Sequence, residues 1–345
     1  MQTNIETFPF KRESYDPIRP YRIALDQSYA KIVKPKYPIP TNGLAAVPLD
    51  VEKYTWYYKP VKGPLTCICD HDAYDLDLLT DIWAEHVRLK AKRQTKRFTD
   101  CISPLEDYQK NHDIYLAEAK RTYDGKTSFR LHFRETIYKM AGDRECSTFK
   151  ISWTQAILTF LKAKKVLDPS AGWGDRLLGA SLAGVETYHG IDPNTSMSQV
   201  YYEMSDFAKQ QRKIMGFSEG EFKVITEDFL VANIPDDDYD TVFTGPPFYD
   251  YELYSDDDKQ SYRNKTDIND WINTFFFPYL NKAWSKLKKG GKMALYVSDI
   301  SKDEFYVHRM IKYVSSLEGS VYEGNIAMNN GYGNKWWPIW IWTKK

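Results

Sequence analysis

The chain has 345 residues, 42% of them hydrophobic, with 47 acidic and 47 basic side chains. No stretch approaches the ~20 apolar residues that a membrane span needs, and the first residues lack the basic and apolar regions of a secretory signal. We therefore expect a globular protein with no membrane association, inside the cell: in the cytoplasm, the nucleus or an infected host cell.

The four cysteines, Cys67, Cys69, Cys101 and Cys146, form no C-x-x-C pair. This favours free thiols in a reducing compartment over a zinc cluster or disulfides. There are 25 basic and 21 acidic residues up to Lys150, against 22 and 26 after it. The N-terminal part is therefore the side that would face a phosphate backbone.

The first part of the chain divides by composition. Residues 1–64 are rich in proline and tyrosine, which predicts an extended arm laid over a surface. Residues 65–147 predict a mostly helical region and a candidate for substrate binding. Within it we expect a short strand at 65–69 and helices over about 72–97 and 104–123.

From residue 148 to 345, helices and strands alternate, which indicates a parallel α/β sheet wrapped by helices. Strands are predicted near 165–168, 187–191, 222–226, 240–244 and 292–298, and helices near 152–162, 175–183, 195–215, 268–288 and 303–316. Two aromatic strands, near 320–328 and 336–343, have no helix between them. They should form an antiparallel pair at the sheet edge.

A glycine turn follows the first of these strands, in Asp168-Pro169-Ser170-Ala171-Gly172-Trp173-Gly174. The two glycines allow a tight turn close to a ligand, and the amides at the start of the next helix attract its polar or anionic end. A dinucleotide fold would need a small residue at 177, where this chain has Leu177. The turn therefore predicts a nucleoside cofactor other than NAD or FAD.

An aspartate follows each of the next two strands. Asp192 is placed to accept hydrogen bonds from the hydroxyls of a ribose. Asp228, next to Phe229, is placed to meet the amino group of an adenine. One such aspartate is more often a helix cap or turn residue, but two at successive strand ends favour a cofactor site.

The fourth strand ends in Thr244-Gly245-Pro246-Pro247-Phe248. The two prolines have no N–H, which leaves nearby carbonyls free to accept from a substrate amine. Phe248 offers a face on which a base can stack. Beside a cofactor turn, this segment predicts the substrate side of the site.

With these motifs, the chain from about residue 150 onward resembles the class I S-adenosylmethionine-dependent methyltransferases. More narrowly it resembles the amino-methyltransferases of DNA and RNA bases, including phage and viral enzymes, which carry (Asn/Asp/Ser)-Pro-Pro-aromatic at the fourth strand. The resemblance implies a Rossmann-like seven-stranded sheet, with the N-terminal helical region as an extension. It also implies S-adenosylmethionine as cofactor.

The family pattern assigns roles to individual positions. The cofactor residues it implies are Asp168, Pro169, Ser170, Ala171, Gly172, Gly174, Asp192, Asp228 and Phe229. The catalytic residues it implies are Thr244, Gly245, Pro246, Pro247 and Phe248. No metal is expected.

The implied reaction is methyl transfer to an exocyclic amine of a nucleic-acid base, with adenine N6 favoured over other amines and DNA slightly over RNA. The amine attacks the methyl group in line, so the protein's task is mainly positioning and polarisation. The partner would be DNA or RNA, and a protein partner is a further option.

Gly245 departs from the family pattern, because it has no side chain to accept from the target amine. Backbone carbonyls, or an oxygen of Thr244, Asp250 or Glu252, would have to replace that acceptor. Two other readings stay open: a methyltransferase for a small molecule or protein side chain, and a catalytically inactive subunit or scaffold.

Segment 249–267 is polar and turn-rich, which predicts either a substrate lid or a solvated connection. Its Tyr251, Glu252 and Tyr254 are candidate substrate residues, as is Arg134 before the domain. The basic run 88–97 suits either phosphate contacts or the negative end of a helix dipole.

Overall fold

The computed structural model describes residues 16–33, 65–69, 74–93, 95–102, 105–125, 129–298, 306–329 and 337–345. A nine-stranded sheet runs through them, in the order β1-β2-β8-β9-β7-β6-β3-β4-β5. Its strands are β1 (Ala30–Val33), β2 (Leu65–Cys69), β3 (Lys165–Asp168), β4 (Thr187–Ile191), β5 (Glu221–Ile225), β6 (Tyr239–Thr244), β7 (Leu287–Tyr296), β8 (Ser320–Asn329) and β9 (Trp337–Lys344).

Some of the described helices precede β3 in the sequence and the others follow it. Those before it are α1 (Ile18–Asp26), α2 (Tyr74–Asp77), α3 (Thr80–Arg88), α4 (Phe98–Cys101), α5 (Leu105–Thr122), α6 (Phe129–Met140) and α7 (Ile151–Leu161). Those after it are α8 (Asp175–Leu182), α9 (Ser198–Ile214), α10 (Ile268–Trp271), α11 (Phe277–Ser285) and α12 (Tyr306–Ser316), with a 3₁₀ turn at Thr195–Met197 and a π turn at Ile272–Phe276. None of the helices in the described ranges combines the length and hydropathy that crossing a membrane requires.

Strands β3 to β7 are mutually parallel, and the strand order reverses at β3. The chain runs outward from β3 to β4 and β5, then crosses back to β6 on the other side of β3. In doubly wound sheets, ligands bind beyond the carboxyl ends of the strands at this switch point. The ends of β3 and β6, at Asp168 and Thr244, therefore flank the expected site.

The predicted alternation of strands and helices after residue 148 is confirmed, with bounds that mostly differ by a few residues. The aromatic pair β8 and β9 is antiparallel as predicted. Its expected place at the sheet edge is wrong, because β9 lies between β7 and β8, and β8 pairs with β2 on its other side. Strands β1 and β2 thus extend the expected seven-stranded sheet to nine.

Part of the predicted extended arm is a helix followed by a strand. Residues 16–33 contain α1 and β1, while the rest of 1–64 lies outside the described residues. Pro20 stands in the first turn of α1, where a missing N–H is tolerated. Tyr21 and Ala24 are fully buried, and the Tyr21 hydroxyl lies 2.6 Å from Ser181 Oγ on α8.

Close packing of α7 on α8 fixes the helix that starts beside the glycine turn. Gly179 lies in α8 where a Cβ would come within 2.3 Å of Thr154 Cβ and 2.8 Å of the Ile151 carbonyl oxygen. Since one of these neighbours is backbone, the contact cannot be relieved by a side-chain rotation. Only glycine lets the two helices approach this closely.

We expect Gly179→Ala to lower the free energy of unfolding by about 1–3 kcal/mol, because the added methyl overpacks the α7–α8 contact. Alanine's higher helix propensity alone would raise stability by about 1 kcal/mol. Urea unfolding measures the difference. Gly179→Ala should cost less stability in a Thr154→Gly background than in the wild type. An increase in stability for Gly179→Ala in the wild type would contradict the packing argument.

Candidate active site

A cavity of about 320 Å³ opens at the carboxyl ends of the parallel strands. Residues that follow each of the five strands line it: Ser170, Asp192, Asp228, Gly245 and Ser298. The cavity therefore lies at the switch point of the sheet, where the topology places ligands.

The glycine turn after β3 forms one wall of the cavity. Gly172 and Gly174 have φ of 61° and 94°, a region that favours glycine. A Cβ on Gly174 would lie 2.4 Å from Met204 Sδ on α9, so this glycine packs inward. Gly172 lines the cavity, and its carbonyl accepts from the Tyr201 hydroxyl.

Asp192 is bound to the glycine turn. Its Oδ2 accepts from the Gly172 N–H at 2.9 Å and its Oδ1 from the Asn194 N–H at 3.0 Å. Burial raises the pKa of Asp192 to about 6, while these two N–H groups act in the opposite direction. At neutral pH the side chain is therefore mainly a carboxylate, and each oxygen keeps a lone pair for a ligand.

Asp168 lies behind the turn. It is fully buried, and its Oδ2 accepts from Arg176 Nε at 2.8 Å and from the Tyr188 hydroxyl at 2.7 Å. It is absent from the described cavity lining, whereas Arg176 is part of it. Asp168 thus positions Arg176, and Arg176 faces the cavity.

The motif after β6 forms the adjoining wall, because β6 pairs with β3. Gly245, Pro246, Pro247 and Phe248 all line the cavity. The Phe248 ring meets the Tyr296 ring at 5.8 Å with an angle of 61° between the planes. The cofactor-type turn and the proline motif thus share one space.

Tyr279 joins these two walls from behind. Its hydroxyl lies 2.8 Å from Ser170 Oγ and 3.2 Å from Thr244 Oγ1. Thr244 is fully buried and does not line the cavity. It ends β6 and contacts Tyr279 on α11.

Tyr251, Glu252 and Tyr254, from the segment after the proline motif, also line the cavity. Glu252 is 7% exposed and accepts from the Ser147 N–H at 3.0 Å. The Tyr254 ring packs edge-on against Trp173 at 5.7 Å. Burial raises the pKa of the Glu252 carboxyl above its ordinary value, with the Ser147 N–H and Arg93 acting in the opposite direction.

The basic run holds this segment in place. Lys92 and Leu253 form a two-bond β-bridge, with N···O distances of 2.9 and 2.7 Å. Arg93 stacks over the Tyr251 ring at 5.5 Å, and Arg97 pairs with Asp256. The chain between α3 and α4 therefore anchors the segment 249–267.

Arg134 lies away from the cavity, contrary to the expectation that it belongs to the substrate side. It is 1% exposed and forms ion pairs with Glu85 and Glu145. Asp81 Oδ2 lies 3.8 Å from its Nη2. Helix α6, which carries Arg134, is missing from the sequence prediction, so its inward-facing side could not be recognised.

Most of the predicted site residues share the cavity. Those that line it are Pro169, Ser170, Gly172, Asp192, Asp228, Phe229, Gly245, Pro246, Pro247, Phe248, Tyr251, Glu252 and Tyr254. Those outside the lining are Asp168, Ala171, Gly174, Thr244 and Arg134. Arg93, from the basic run of the sequence, lines the cavity too. Lining residues that the sequence did not single out include Phe149, Arg176, Asn194, Tyr279 and Tyr296.

No protein-family model matches this chain, and no curated protein does. Solved structures that resemble it include an S-adenosylmethionine-dependent O-methyltransferase from Thermotoga maritima, with 13% identity, 58% of this chain and 67% of that one covered, and a TM-score of 0.34. Others are a tRNA m1G37 methyltransferase from M. jannaschii (12%, 57% and 49%, 0.33) and a ribosomal protein L11 methylase from Lactobacillus delbrueckii subsp. bulgaricus (10%, 58% and 81%, 0.35).

The strand order and the position of the cavity are observed directly in the structure of this chain. The fold is a doubly wound α/β sheet. Its seven core strands are β3 to β9, as the sequence predicts.

A buried carboxyl at the start of α8 makes stability depend on pH. Asp175 is 3% exposed, lines the cavity and accepts from Thr80 Oγ1 at 2.6 Å. Burial raises its pKa from an ordinary 3.8 to about 7. The folded protein therefore binds this proton more tightly than the unfolded chain, and stability falls as the pH rises from about 4 to about 7.

Asp175→Asn should weaken this pH dependence, since asparagine keeps an acceptor for Thr80 without a titratable charge. Between pH 5 and pH 8 the wild type should lose about 1–3 kcal/mol more stability than the variant. Urea unfolding at both pH values measures this difference. The raised pKa of Asp192 contributes the same pH dependence of stability to both proteins. Identical pH dependences of the wild type and the variant would contradict the role of Asp175.

Proposed function

We propose that this protein transfers the methyl group of S-adenosylmethionine to an exocyclic amine of a nucleic-acid base, adenine N6 before other amines and DNA before RNA. The observation that carries the proposal is the shared cavity. The glycine turn with its two following aspartates and the proline motif with Phe248 line the same space.

The residues of the turn fit this cofactor. Gly172 presents backbone without a side chain, Asp192 offers carboxylate oxygens for ribose hydroxyls, and Asp228 and Phe229 offer a polar group and an apolar surface for an adenine. When bound, the cofactor supplies an electrophilic methyl group. The methionine part would lie along Gly172, with the ribose at Asp192.

The chain's own task is to orient the amine. The lone pair of a base amine is delocalised into the ring, and acceptors around the amine favour its more reactive pyramidal form. Pro246 and Pro247 have no N–H that would compete for nearby carbonyls, and Phe248 provides a stacking face. Positioning of this kind supplies a large part of the rate in a direct displacement.

Glu252 is the side chain best placed to replace the acceptor that Gly245 lacks. Thr244 is buried against Tyr279, and Asp250 is exposed. Glu252 alone of these three lines the cavity within the described residues. We assign it the hydrogen bond from the target amine and the proton released after transfer.

Tritiated S-adenosylmethionine, incubated with the pure protein and DNA or RNA and followed by digestion to nucleosides, tests the proposed function. We expect label in N6-methyladenine and binding to nucleic acid that weakens with salt. Label confined to protein or small molecules would overturn the nucleic-acid substrate. Cofactor binding without any transfer would favour an inactive subunit.

Phe248→Ala should lower kcat/KM for nucleic acid about 5- to 150-fold, because stacking of a base on an aromatic ring contributes about 1–3 kcal/mol. Phe248→Tyr keeps the ring and is the matched control, with an expected change below about 3-fold. Calorimetry should give the same cofactor Kd for all three proteins. Equal losses in both variants would contradict a stacking role.

Glu252→Gln should lower kcat about 100-fold, in the range found for general-base groups, with the cofactor Kd unchanged. The Glu252 carboxyl must be ionised to accept a proton, and its pKa is raised. Wild-type kcat should therefore rise with pH as this carboxyl ionises, and the variant should lose that rise. Asp250→Asn, two residues away and exposed, is the control. Retention of the wild-type pH profile in Glu252→Gln would disprove the assignment.

A further inference from the structure

The space beside Gly245 is bordered by a cation. A Cβ built on Gly245 would lie 3.5 Å from Arg176 Nη1 and 3.2 Å from Tyr296 Cδ1. A Cβ built on Gly172 would lie 3.8 Å from Arg176 Nη2. The guanidinium thus stands between the cofactor-type turn and the proline motif, where the two walls of the cavity meet.

Three contacts fix this guanidinium. Nε donates to Asp168 Oδ2 at 2.8 Å, Nη2 donates to the Ser170 carbonyl, and the group lies 5.8 Å from the centre of the Phe149 ring. The side chain is 6% exposed and belongs to the cavity lining. In the described part of the chain, Nη1 has no hydrogen-bond acceptor.

We propose that Arg176 Nη1 donates a hydrogen bond to a ring nitrogen beside the target amine of the substrate base. This proposal rests on the proposed function. In adenine, N1 and N7 flank the N6 amine, and both are acceptors. Where related enzymes place an acceptor side chain, this chain has Gly245 and leaves room for a donor. The site therefore selects a base whose amine has an acceptor next to it.

The charge arrangement supports a neutral acceptor. Arg176 is paired with Asp168, so the pair carries no net charge toward the amine, which becomes positive as it accepts the methyl group. A buried donor that loses its acceptor is left unsatisfied, so a site built to donate discriminates strongly against a base without that acceptor.

The test compares oligonucleotides in which the target adenine is replaced by 1-deaza-, 7-deaza- or 3-deazaadenine. All three keep the shape of the base and the N6 amine. We expect kcat/KM to fall about 10- to 100-fold with the 1-deaza or the 7-deaza analogue. The 3-deaza analogue lacks a nitrogen remote from the amine and is the matched control, with a change below about 3-fold.

Arg176→Lys links any such loss to this residue. Lysine has one nitrogen, which should stay with Asp168, so the donor toward Gly245 is withdrawn. The loss with the sensitive analogue should then shrink to below about 3-fold. Thermal unfolding confirms that the variant is folded.

If Arg176→Lys does not fold, Gly245→Asp gives the same information, because its carboxylate occupies Nη1. Gly245→Ala is its control, with the same Cβ and no carboxylate. The loss caused by the analogue should disappear in Gly245→Asp and remain in Gly245→Ala.

The outcomes separate the two proposals. Transfer by the wild type that tolerates both the 1-deaza and the 7-deaza analogue overturns the role of Arg176 and leaves the proposed function intact. An unchanged analogue effect in folded Arg176→Lys with a cofactor Kd raised more than tenfold also overturns it, since Arg176 then serves the cofactor. Transfer to no nucleic-acid base overturns both.

Discussion

The site depends on a buried ion pair between Asp168 and Arg176. Asp168 ends β3, and Arg176 lies in the first turn of α8, so their contact closes the strand-turn-helix loop around the two glycines. Both charges are removed from water, and only their mutual contact and further hydrogen bonds offset that cost. Tyr188 and the Ser170 carbonyl provide those bonds.

A pair of this kind is more valuable for geometry than for stability. Replacing a buried pair by apolar groups is often neutral, but removing one partner typically costs about 3–5 kcal/mol because a lone charge stays buried. The first acid of the motif therefore fixes both the strand end and the arginine. Together with the pairing of β3 and β6 and the contacts of Tyr279, this pair holds the glycine turn beside the proline motif.

Local signals in the sequence predicted most of the core fold. The glycine turn, the aspartates after β4 and β5 and the proline motif are each encoded within a few residues, and parallel strand ends bring them together. Long-range contacts were not predictable. The pairing of β2 with β8 joins segments more than 200 residues apart, and the burial of Arg134 depends on Glu85 and Glu145 from other parts of the chain.

Arg176 shows the same limit within a recognised motif. It follows Gly174 by two positions, so its proximity to the turn is visible in the sequence. Its distance from Gly245, 69 positions further on, exists only after β6 has crossed back beside β3. In the sequence, Gly245 is only a position without the expected side chain. In the folded protein, the space beside it borders the Arg176 guanidinium.

The β-bridge between Lys92 and Leu253 has a mechanical consequence. It hydrogen-bonds segment 249–267, part of which lines the cavity, to the chain between α3 and α4, so this segment cannot move outward alone. Either the two bonds separate, or the helical N-terminal part travels with it. Without breaking these bonds, any displacement of this wall of the cavity is thereby coupled to a displacement of the N-terminal helices.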